Sequence, residues 1–121
     1  MSGVYIMIIY RMLDFERIEG FDWDEGNAVK SVEKHQVNPS EAEQVFFNDP
    51  LGINEDVVHS VKEPRLHALG RTDAGRLLHV TFTLRNDAKL IRVISARPMN
   101  RRERARYEQE VENHPGIPER G

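Results

Sequence analysis

The chain contains no cysteine in its 121 residues. This absence excludes disulfide bonds, catalysis by a thiolate and zinc sites that use cysteine ligands. The histidines and acids also lack the spacing of metal motifs such as HExxH, so the sequence predicts no catalytic metal and no cofactor. Any chemistry is therefore expected to come from ordinary acidic, basic and polar side chains.

Long apolar runs are also scarce. The N-terminal run from Val4 to Tyr10 (VYIMIIY) is too short to cross a bilayer, and no basic leader or small-residue cleavage site accompanies it. We therefore expect a cytoplasmic protein without membrane contact. The length predicts one domain over residues 1–121, with 1–12 as a loose N-terminal extension. Prolines and glycines in residues 113–121 predict a flexible tail.

Charge is distributed unevenly along the chain. The formal net charge is −3, but the segment from Arg85 to Arg106 carries eight cations against two acids. Between Met12 and Asp56, twelve acids face three cations. A basic face on an acidic protein indicates a polyanionic partner, most simply nucleic acid, or an acidic protein. An arginine-rich helix that is exposed only to solvent has the same pattern.

Alternating apolar and polar residues predict a β-hairpin. The first strand has four apolar residues at a period of two, which is typical of a half-buried strand: Leu78, Val80, Phe82 and Leu84. Asn86 and Asp87 provide the turn, because both accept left-handed backbone. The second strand, from Lys89 to Arg97, is apolar on both faces and ends at Pro98, which has no amide hydrogen for the ladder.

Two helices are predicted before the hairpin. The first begins at Asp24 and runs to about His35, with Ala28 and Val32 on its apolar face. The second begins in residues 38–41 (NPSE), which combine an N-cap, a proline in the first turn and a glutamate at the third position.

A third helix is predicted after the hairpin, where Asn100 and Glu103 have the spacing of a capping box. A further strand runs from Arg65 to Arg71, and a short strand at Ile53 belongs to the loop before it. This order of elements predicts an α+β fold, in which N-terminal helices pack on a three-stranded antiparallel meander and a C-terminal helix follows.

Four segments between about Phe21 and Tyr107 match one known pattern. They read FDWDEGNAVKSVEKHQV, EAEQVFFNDP, LGRTDAGRLLHVTFTLR and IRVISARPMNRRERARYE. In this order and with this spacing they resemble the BrnT family of bacterial type II toxins. Two positions depart from the family's usual pattern: Gln36 stands where glycine is frequent, and Ser31 stands where asparagine is frequent.

The resemblance implies a fold like that of the RelE ribonucleases and an RNA endonuclease toxin that inhibits translation and growth. It also implies a BrnA-like antitoxin that neutralises the toxin. Operator DNA is then contacted only through the toxin–antitoxin complex, and the toxin can form a homodimer within that complex. The positions that match include Lys34, His35, Arg85, Arg92, Arg97 and Tyr107.

Metal-independent RNA cleavage requires cations near the phosphate that the ribose 2′-hydroxyl attacks. Arginine suits this task because its planar fork pairs with phosphate oxygens. By strand alternation, Arg92 and Arg97 should point to opposite faces, so we expect Arg97 to share the catalytic site with Arg85. The predicted RNA-binding set comprises Arg92, Arg101, Arg102, Arg104 and Tyr107.

Proton transfer requires a group that titrates near neutral pH, and His35 is the leading candidate. Lys34 beside it completes the expected catalytic set. A histidine at a helix end that only packs on the sheet, without a catalytic role, would give the same sequence pattern as His35. His79 is a second candidate, whereas His67 lies in a strand with no convergent partner visible. Glu103 is explained by its capping role.

Two other functions fit the same basic face. One is a module that binds RNA or DNA through the C-terminal helix without cleaving it. The other is an interaction protein whose basic groove docks an acidic peptide. Both alternatives remain open at the level of sequence, because all three functions require the same cations.

Overall fold

The computed structural model describes residues 16–56 and 63–112. The expected N-terminal extension and C-terminal tail lie outside these residues. The described elements are, in chain order, β1 (Gly20–Phe21), α1 (Glu25–His35), α2 (Pro39–Val45), β2 (Gly52–Glu55), β3 (Leu66–Arg71), β4 (Leu77–Arg85), β5 (Leu90–Pro98) and α3 (Arg101–Glu112). None of the helices in these ranges is long and apolar enough to cross a membrane.

The strands form one five-stranded sheet in the order β1-β5-β4-β3-β2. Strands β2 to β5 are antiparallel neighbours in chain order, and β1 joins the outer edge of β5 in parallel. The α+β class is confirmed, but the expected three-stranded meander is too small. Ile53 lies in β2, which supplies a fourth antiparallel strand. Strand β1 is only two residues long, and this is too short for a repeating pattern in the sequence.

The main core lies on one face of the sheet, which we call the first face, and α2 packs against it. Three alternate residues of β4 are completely buried there, as the strand pattern predicts: Leu78, Val80 and Phe82. The rings of Phe82 and Phe46 meet edge to face with centroids 5.0 Å apart. Ala42 and Val45 of α2 belong to the same core. The two residues are three apart, so they lie on one face of the helix.

Helix α1 covers the edge of β5 with polar side chains. Asn27 and Ser31 are buried. Nδ2 of Asn27 donates to the carbonyl of Val93 at 2.8 Å, and Oγ of Ser31 accepts from the amide of Ala96 at 3.1 Å. These two side chains satisfy backbone groups of β5 that the short β1 does not reach, so they protect the edge of the sheet.

The apolar face predicted for α1 is therefore wrong. Val32 is 43% exposed, and Ala28 is only half-buried. The polar side of the helix is buried because unpaired backbone groups at a covered edge would cost about 1–3 kcal/mol each. At the end of α1, Gln36 adopts left-handed backbone with φ of 56°, a conformation that glycine accepts most easily.

A β-bulge in β5 determines which arginines share a face. The register between β4 and β5 shifts between Thr81 and Phe82, which leaves Ile94 as an extra residue in β5. An extra residue reverses the alternation that follows it. Arg92 and Arg97 therefore point to the same side of the sheet, opposite the main core, which we call the second face. The expectation that they point to opposite faces is wrong for this reason.

Helix α3 packs on the second face. Its apolar contacts form a small second core of Leu69, Met99 and Tyr107, with Leu77 and Val111 at the margin. The hydroxyl of Tyr107 donates to the carbonyl of Pro50 at 2.6 Å, and the residue is 8% exposed. This placement contradicts the RNA-binding role expected for Tyr107. Its position one turn after Glu103 puts it on the side of α3 that faces the sheet.

We predict that Asn27→Ala lowers the free energy of unfolding by about 1–3 kcal/mol, because it leaves the buried carbonyl of Val93 without its donor. Urea denaturation followed by circular dichroism measures this loss. Val29→Ala on the same helix is the control, since Val29 is 44% exposed. A loss no larger for Asn27→Ala than for Val29→Ala would contradict the role assigned to Asn27.

Candidate functional site

A group of polar side chains lies on the second face, between the sheet and the start of α3. Its members come from five places in the chain and are joined by hydrogen bonds: Asp56, His67, His79, Arg97 and Glu103. We call this group the second-face cluster. No motif in the sequence indicates it as a unit, because its members are spread over 47 positions from Asp56 to Glu103.

Glu103 is fixed by the first turn of α3. Its backbone amide donates to Oδ1 of Asn100 at 2.8 Å, and its Oε1 accepts from the amide of Asn100 at 2.9 Å. This is the capping box that the sequence predicts. The same carboxylate also points at the sheet, so capping explains only part of what Glu103 does.

Arg97 forms a two-pronged ion pair with Glu103. Nη1 donates to Oε1 and Nη2 donates to Oε2, each at 2.8 Å. Such fork-to-fork pairs are stronger and more strictly oriented than single contacts. The Glu103 carboxylate raises the pKa of the Arg97 guanidinium, although burial opposes this. Arg97 therefore stays charged and is held in one orientation.

His79 lies directly across the sheet ladder from Arg97. Its Nδ1 donates to Oε2 of Glu103 at 2.7 Å. Burial lowers the pKa of His79, and the charge of Arg97 and the nearby His67 lower it further, against the opposing effect of the Glu103 carboxylate. The imidazole of His79 is therefore neutral at neutral pH, with its Nδ1 hydrogen directed at Glu103.

The pKa of Glu103 is about 2. Burial by itself would raise it, but hydrogen bonds from Arg97 and from the amide of Asn100, together with His79, outweigh burial and lower it. The carboxylate is therefore ionised throughout the physiological pH range. A negative charge in this position is stable only because its donors are in place.

His67 extends the cluster to the next strand. Its Nδ1 lies 2.9 Å from Nε2 of His79 and 3.0 Å from Oγ1 of Thr81, and its Nε2 lies 3.1 Å from Oδ2 of Asp56. The expectation that His67 has no convergent partner is wrong. The signal that reveals it is the register around the Thr72–Gly75 turn, which sets His67 opposite Thr81 and diagonal to His79.

The chain of contacts from Glu103 through His79 and His67 to Asp56 constrains the number of protons. Three hydrogen bonds between two carboxylates and two imidazoles require three ring protons, and two neutral imidazoles carry only two. With both rings neutral, one of the three contacts is therefore not a hydrogen bond.

His35 and Lys34 are not among the side chains that the hydrogen bonds of the cluster join. Both lie at the end of α1, the helix whose Ser31 side chain contacts the edge of β5. The backbone carbonyl of His35 accepts from Nη2 of Arg76 at 3.4 Å. In residues 16–56 and 63–112, no hydrogen bond joins the His35 ring to Arg97. The expected grouping of His35 and Lys34 with Arg97 in one catalytic site stays a prediction.

Arg85 is also separated from Arg97. It pairs with Leu90 at the turn end of the hairpin, whereas Arg97 pairs with His79 at the opposite end. Six residues of strand separate the two levels, or about 20 Å. Nη2 of Arg85 donates to Oε1 of Glu63 at 2.9 Å. The prediction that Arg85 and Arg97 share one site is wrong, because antiparallel pairing places them at different ends.

The remaining predicted cations lie on two surfaces. Arg92 forms ion pairs with Asp22 at 3.5 Å and with Asp24 at 3.0 Å, so it ties the start of α1 to β5. The other cations are exposed on α3: Arg101, Arg102, Arg104 and Arg106. These exposed guanidinium groups remain consistent with binding to a polyanion.

The acids and histidines of the cluster do not form a metal site. Within the residues that the structure describes, no group of three or more such side chains is arranged to hold a metal ion. The side chains of the cluster hydrogen-bond to one another instead.

Comparison with known proteins gives one family. The model of the family described as "Ribonuclease toxin, BrnT, of type II toxin-antitoxin system" matches residues 23–103. No curated protein sequence matches the chain. Among solved structures, the crystal structure of the Brucella abortus ribonuclease toxin BrnT is 20% identical, covers 68% of this chain and 97% of its own, and superposes with a TM-score of 0.49.

We predict that the stabilising effect of Glu103 disappears in acid. Its pKa is 4.5 when unperturbed and about 2 in the folded protein. The stability it adds is therefore complete above about pH 4.5 and is lost as the pH falls toward about 2. After allowance for solvent screening, we expect Glu103→Gln to cost about 1–2 kcal/mol at neutral pH, and less as the pH falls through this window.

Chemical denaturation of both proteins at several pH values measures this difference. Glu108→Gln, at an exposed position of the same helix, is the control. A difference between wild type and Glu103→Gln that is the same at neutral and at acidic pH would contradict the assignment.

Proposed function

This chain belongs to the BrnT family of ribonuclease toxins of type II toxin–antitoxin systems, and on that premise we propose that it cleaves RNA at the second-face cluster. In the proposed reaction, the ribose 2′-hydroxyl attacks the adjacent phosphate without a metal ion. The reaction needs a cation beside the phosphate and a group that takes up and returns a proton.

The observation that carries this proposal is the juxtaposition of His79, Arg97 and Glu103. They come from three different elements, yet Glu103 accepts from the imidazole at 2.7 Å and from the guanidinium at 2.8 Å. A proton-carrying ring, a permanent cation and an orienting carboxylate thus meet at one place. This is the set of roles that phosphate transesterification requires.

Arg97 is proposed to bind the scissile phosphate. Its side chain is 34% exposed, so a phosphate can approach it from solvent. A guanidinium has five N–H donors, and the pair with Glu103 uses two of them. Because Glu103 already fixes its orientation, Arg97 opposes the negative charge that develops on the phosphorane without further ordering.

The exposed arginines of α3 are proposed to bind the neighbouring phosphates of the RNA. Arg101, Arg102 and Arg104 lie within two positions of Glu103, in the first turns of the helix that contributes this carboxylate to the cluster. A strand that follows these cations would therefore run close to the cluster. Such contacts position the substrate but read no sequence.

The family supports a partner as well as a substrate. We propose that a BrnA-like antitoxin neutralises this protein and that operator DNA is contacted only through that complex, in which the toxin can form a homodimer. Released from the antitoxin, the protein would cut cellular RNA in the cytoplasm and so inhibit translation and growth.

We predict that His79→Ala and Arg97→Ala each lower the rate of RNA cleavage by about a hundredfold or more, the usual size for loss of a proton carrier or of a charge-stabilising contact. The rate is measured on an end-labelled RNA with the purified protein and a metal chelator. Circular dichroism verifies that each variant is folded. Growth arrest in cells that lack the antitoxin should weaken for the same two variants.

His35→Ala is the matched control, because it removes a histidine that lies outside the cluster. It should cleave RNA as fast as the wild type. A folded wild-type protein that binds RNA without cutting it would support the non-catalytic nucleic-acid module instead. An inactive His35→Ala beside an active His79→Ala would contradict the site proposed here.

We predict that Arg101→Ala combined with Arg104→Ala makes RNA binding weaker and less dependent on salt. Each phosphate contact on a single strand contributes about 0.7 to the slope of log affinity against log salt concentration. Fluorescence anisotropy at several salt concentrations measures the slope. The control is Lys30→Ala combined with Lys34→Ala, which removes the same charge from exposed positions of α1. Equal slopes in the two double variants would contradict a role of α3 in binding.

A further inference from the structure

Helix α1 turns polar side chains toward the sheet and apolar side chains toward solvent. Asn27 and Ser31 are buried at the edge of β5. Val29 and Val32 face away from that edge and are 44% and 43% exposed. With 3.6 residues in each turn, two exposed acids fall on the same side of the helix as the valines. We call these four residues the outer stripe of α1: Glu25, Val29, Val32 and Glu33.

The stability of α1 does not explain the outer stripe. Valine is a weaker helix former than alanine or leucine, and an exposed valine buries little surface in return. Glu33 lies in the last turn of the helix, where the helix dipole disfavours a negative charge. Within residues 16–56 and 63–112, neither Glu25 nor Glu33 forms an ion pair that would offset this effect. A binding partner therefore accounts for the outer stripe better than the fold does.

The apolar centre of the outer stripe fits a protein partner. Among the residues that the structure describes, three large apolar side chains are exposed: Val29, Val32 and Phe47. Two of these lie one turn apart in the outer stripe, which is the spacing at which an amphipathic helix contacts another protein. RNA does not fit this surface, because the carboxylates at its two ends repel phosphates.

A second copy of the chain does not fit the outer stripe either. If two copies met through it, a two-fold axis would place the same set of residues on both sides of the contact. In an antiparallel pair centred on Val29, Glu25 of one copy meets Glu33 of the other, and in a parallel pair each acid meets itself. Like charges at such positions repel each other. The outer stripe therefore requires a partner that differs from it in charge.

We propose that the outer stripe of α1 binds an amphipathic segment of the antitoxin, in which apolar residues contact the two valines and lysine or arginine residues lie opposite Glu25 and Glu33. This inference rests on the antitoxin partner proposed above and does not depend on RNA cleavage. The surrounding charge supports it, since the segment from Met12 to Asp56 carries twelve acids against three cations. A basic segment is attracted to this side of the molecule and repelled by the arginines of α3.

The test is the affinity of the full chain for the purified antitoxin of the same operon, measured by isothermal titration calorimetry. Val29→Ser combined with Val32→Ser should weaken binding by at least about tenfold, because the apolar contacts at the centre of the interface are lost. Lys30→Ala, on the same helix but outside the outer stripe, is the control and should bind within about twofold of the wild type. Circular dichroism verifies the fold, and RNA cleavage should not change in these variants.

Glu33→Lys separates a role in binding from a role in the fold. A cation in the last turn favours the helix, so this variant should be at least as stable as the wild type. It should nevertheless bind the antitoxin at least about fivefold more weakly at low salt, and the difference should shrink as the salt concentration rises. Glu55→Lys makes the same change of charge at an exposed position of β2 and should bind like the wild type.

An unchanged antitoxin affinity in the folded valine double variant overturns the inference, as does a Glu33→Lys protein that binds as tightly as the wild type at low salt. Self-association of the wild type that the valine double variant abolishes identifies a second copy as the occupant and also overturns it. Antitoxin binding that requires Arg101 and Arg104 but not the valines assigns the partner to α3, with the same consequence. A wild-type protein that binds the antitoxin through the outer stripe and cuts no RNA overturns the proposed function and leaves this inference standing.

Discussion

The carboxylate of Glu103 ties α3 to strands β4 and β5, next to the small second core through which the helix packs on the sheet. It caps the start of α3 through Asn100, receives the fork of Arg97 from β5 and accepts from His79 of β4. A charge in this half-buried position would be costly by itself, and each of these donors offsets part of that cost. The position of the helix, the orientation of the guanidinium and the hydrogen on the imidazole therefore depend on one another.

The two faces of the sheet are built differently: one closes an apolar core and the other carries the polar second-face cluster. The first face is closed by an apolar core in which Phe82 meets Phe46. At the β5 edge, Asn27 and Ser31 replace the neighbouring strand that β1 is too short to provide. With that face and edge closed, the second face can carry a polar cluster whose groups are satisfied by one another. The bulge at Ile94 reverses the alternation of β5 and so brings Arg92 to the same face as Arg97.

Some elements of the site were predictable and others were not, for reasons that lie in the range of the interactions. Asn100 and Glu103 are three residues apart, so their capping box follows from the sequence. The attachment of the same carboxylate to Arg97 depends on where α3 packs, which no local pattern contains. His67 was missed although the tight turn after β3 sets its register with β4. His35 is expected from its chemistry, and among the described residues no hydrogen bond joins its ring to Arg97.

The sequence by itself determined the local structure: the hairpin, the caps of the helices, the strand faces of β4, the uneven charge and the family. These follow from interactions between residues close in the chain, or from motifs read in order. Only the tertiary structure decided which side of α1 is buried, which arginines share a face and which histidines meet. Those outcomes depend on one extra residue in β5, on a strand of two residues and on the docking of α3. Each of these is settled by hydrogen bonds between segments far apart in the chain, where sequence periodicity carries no information.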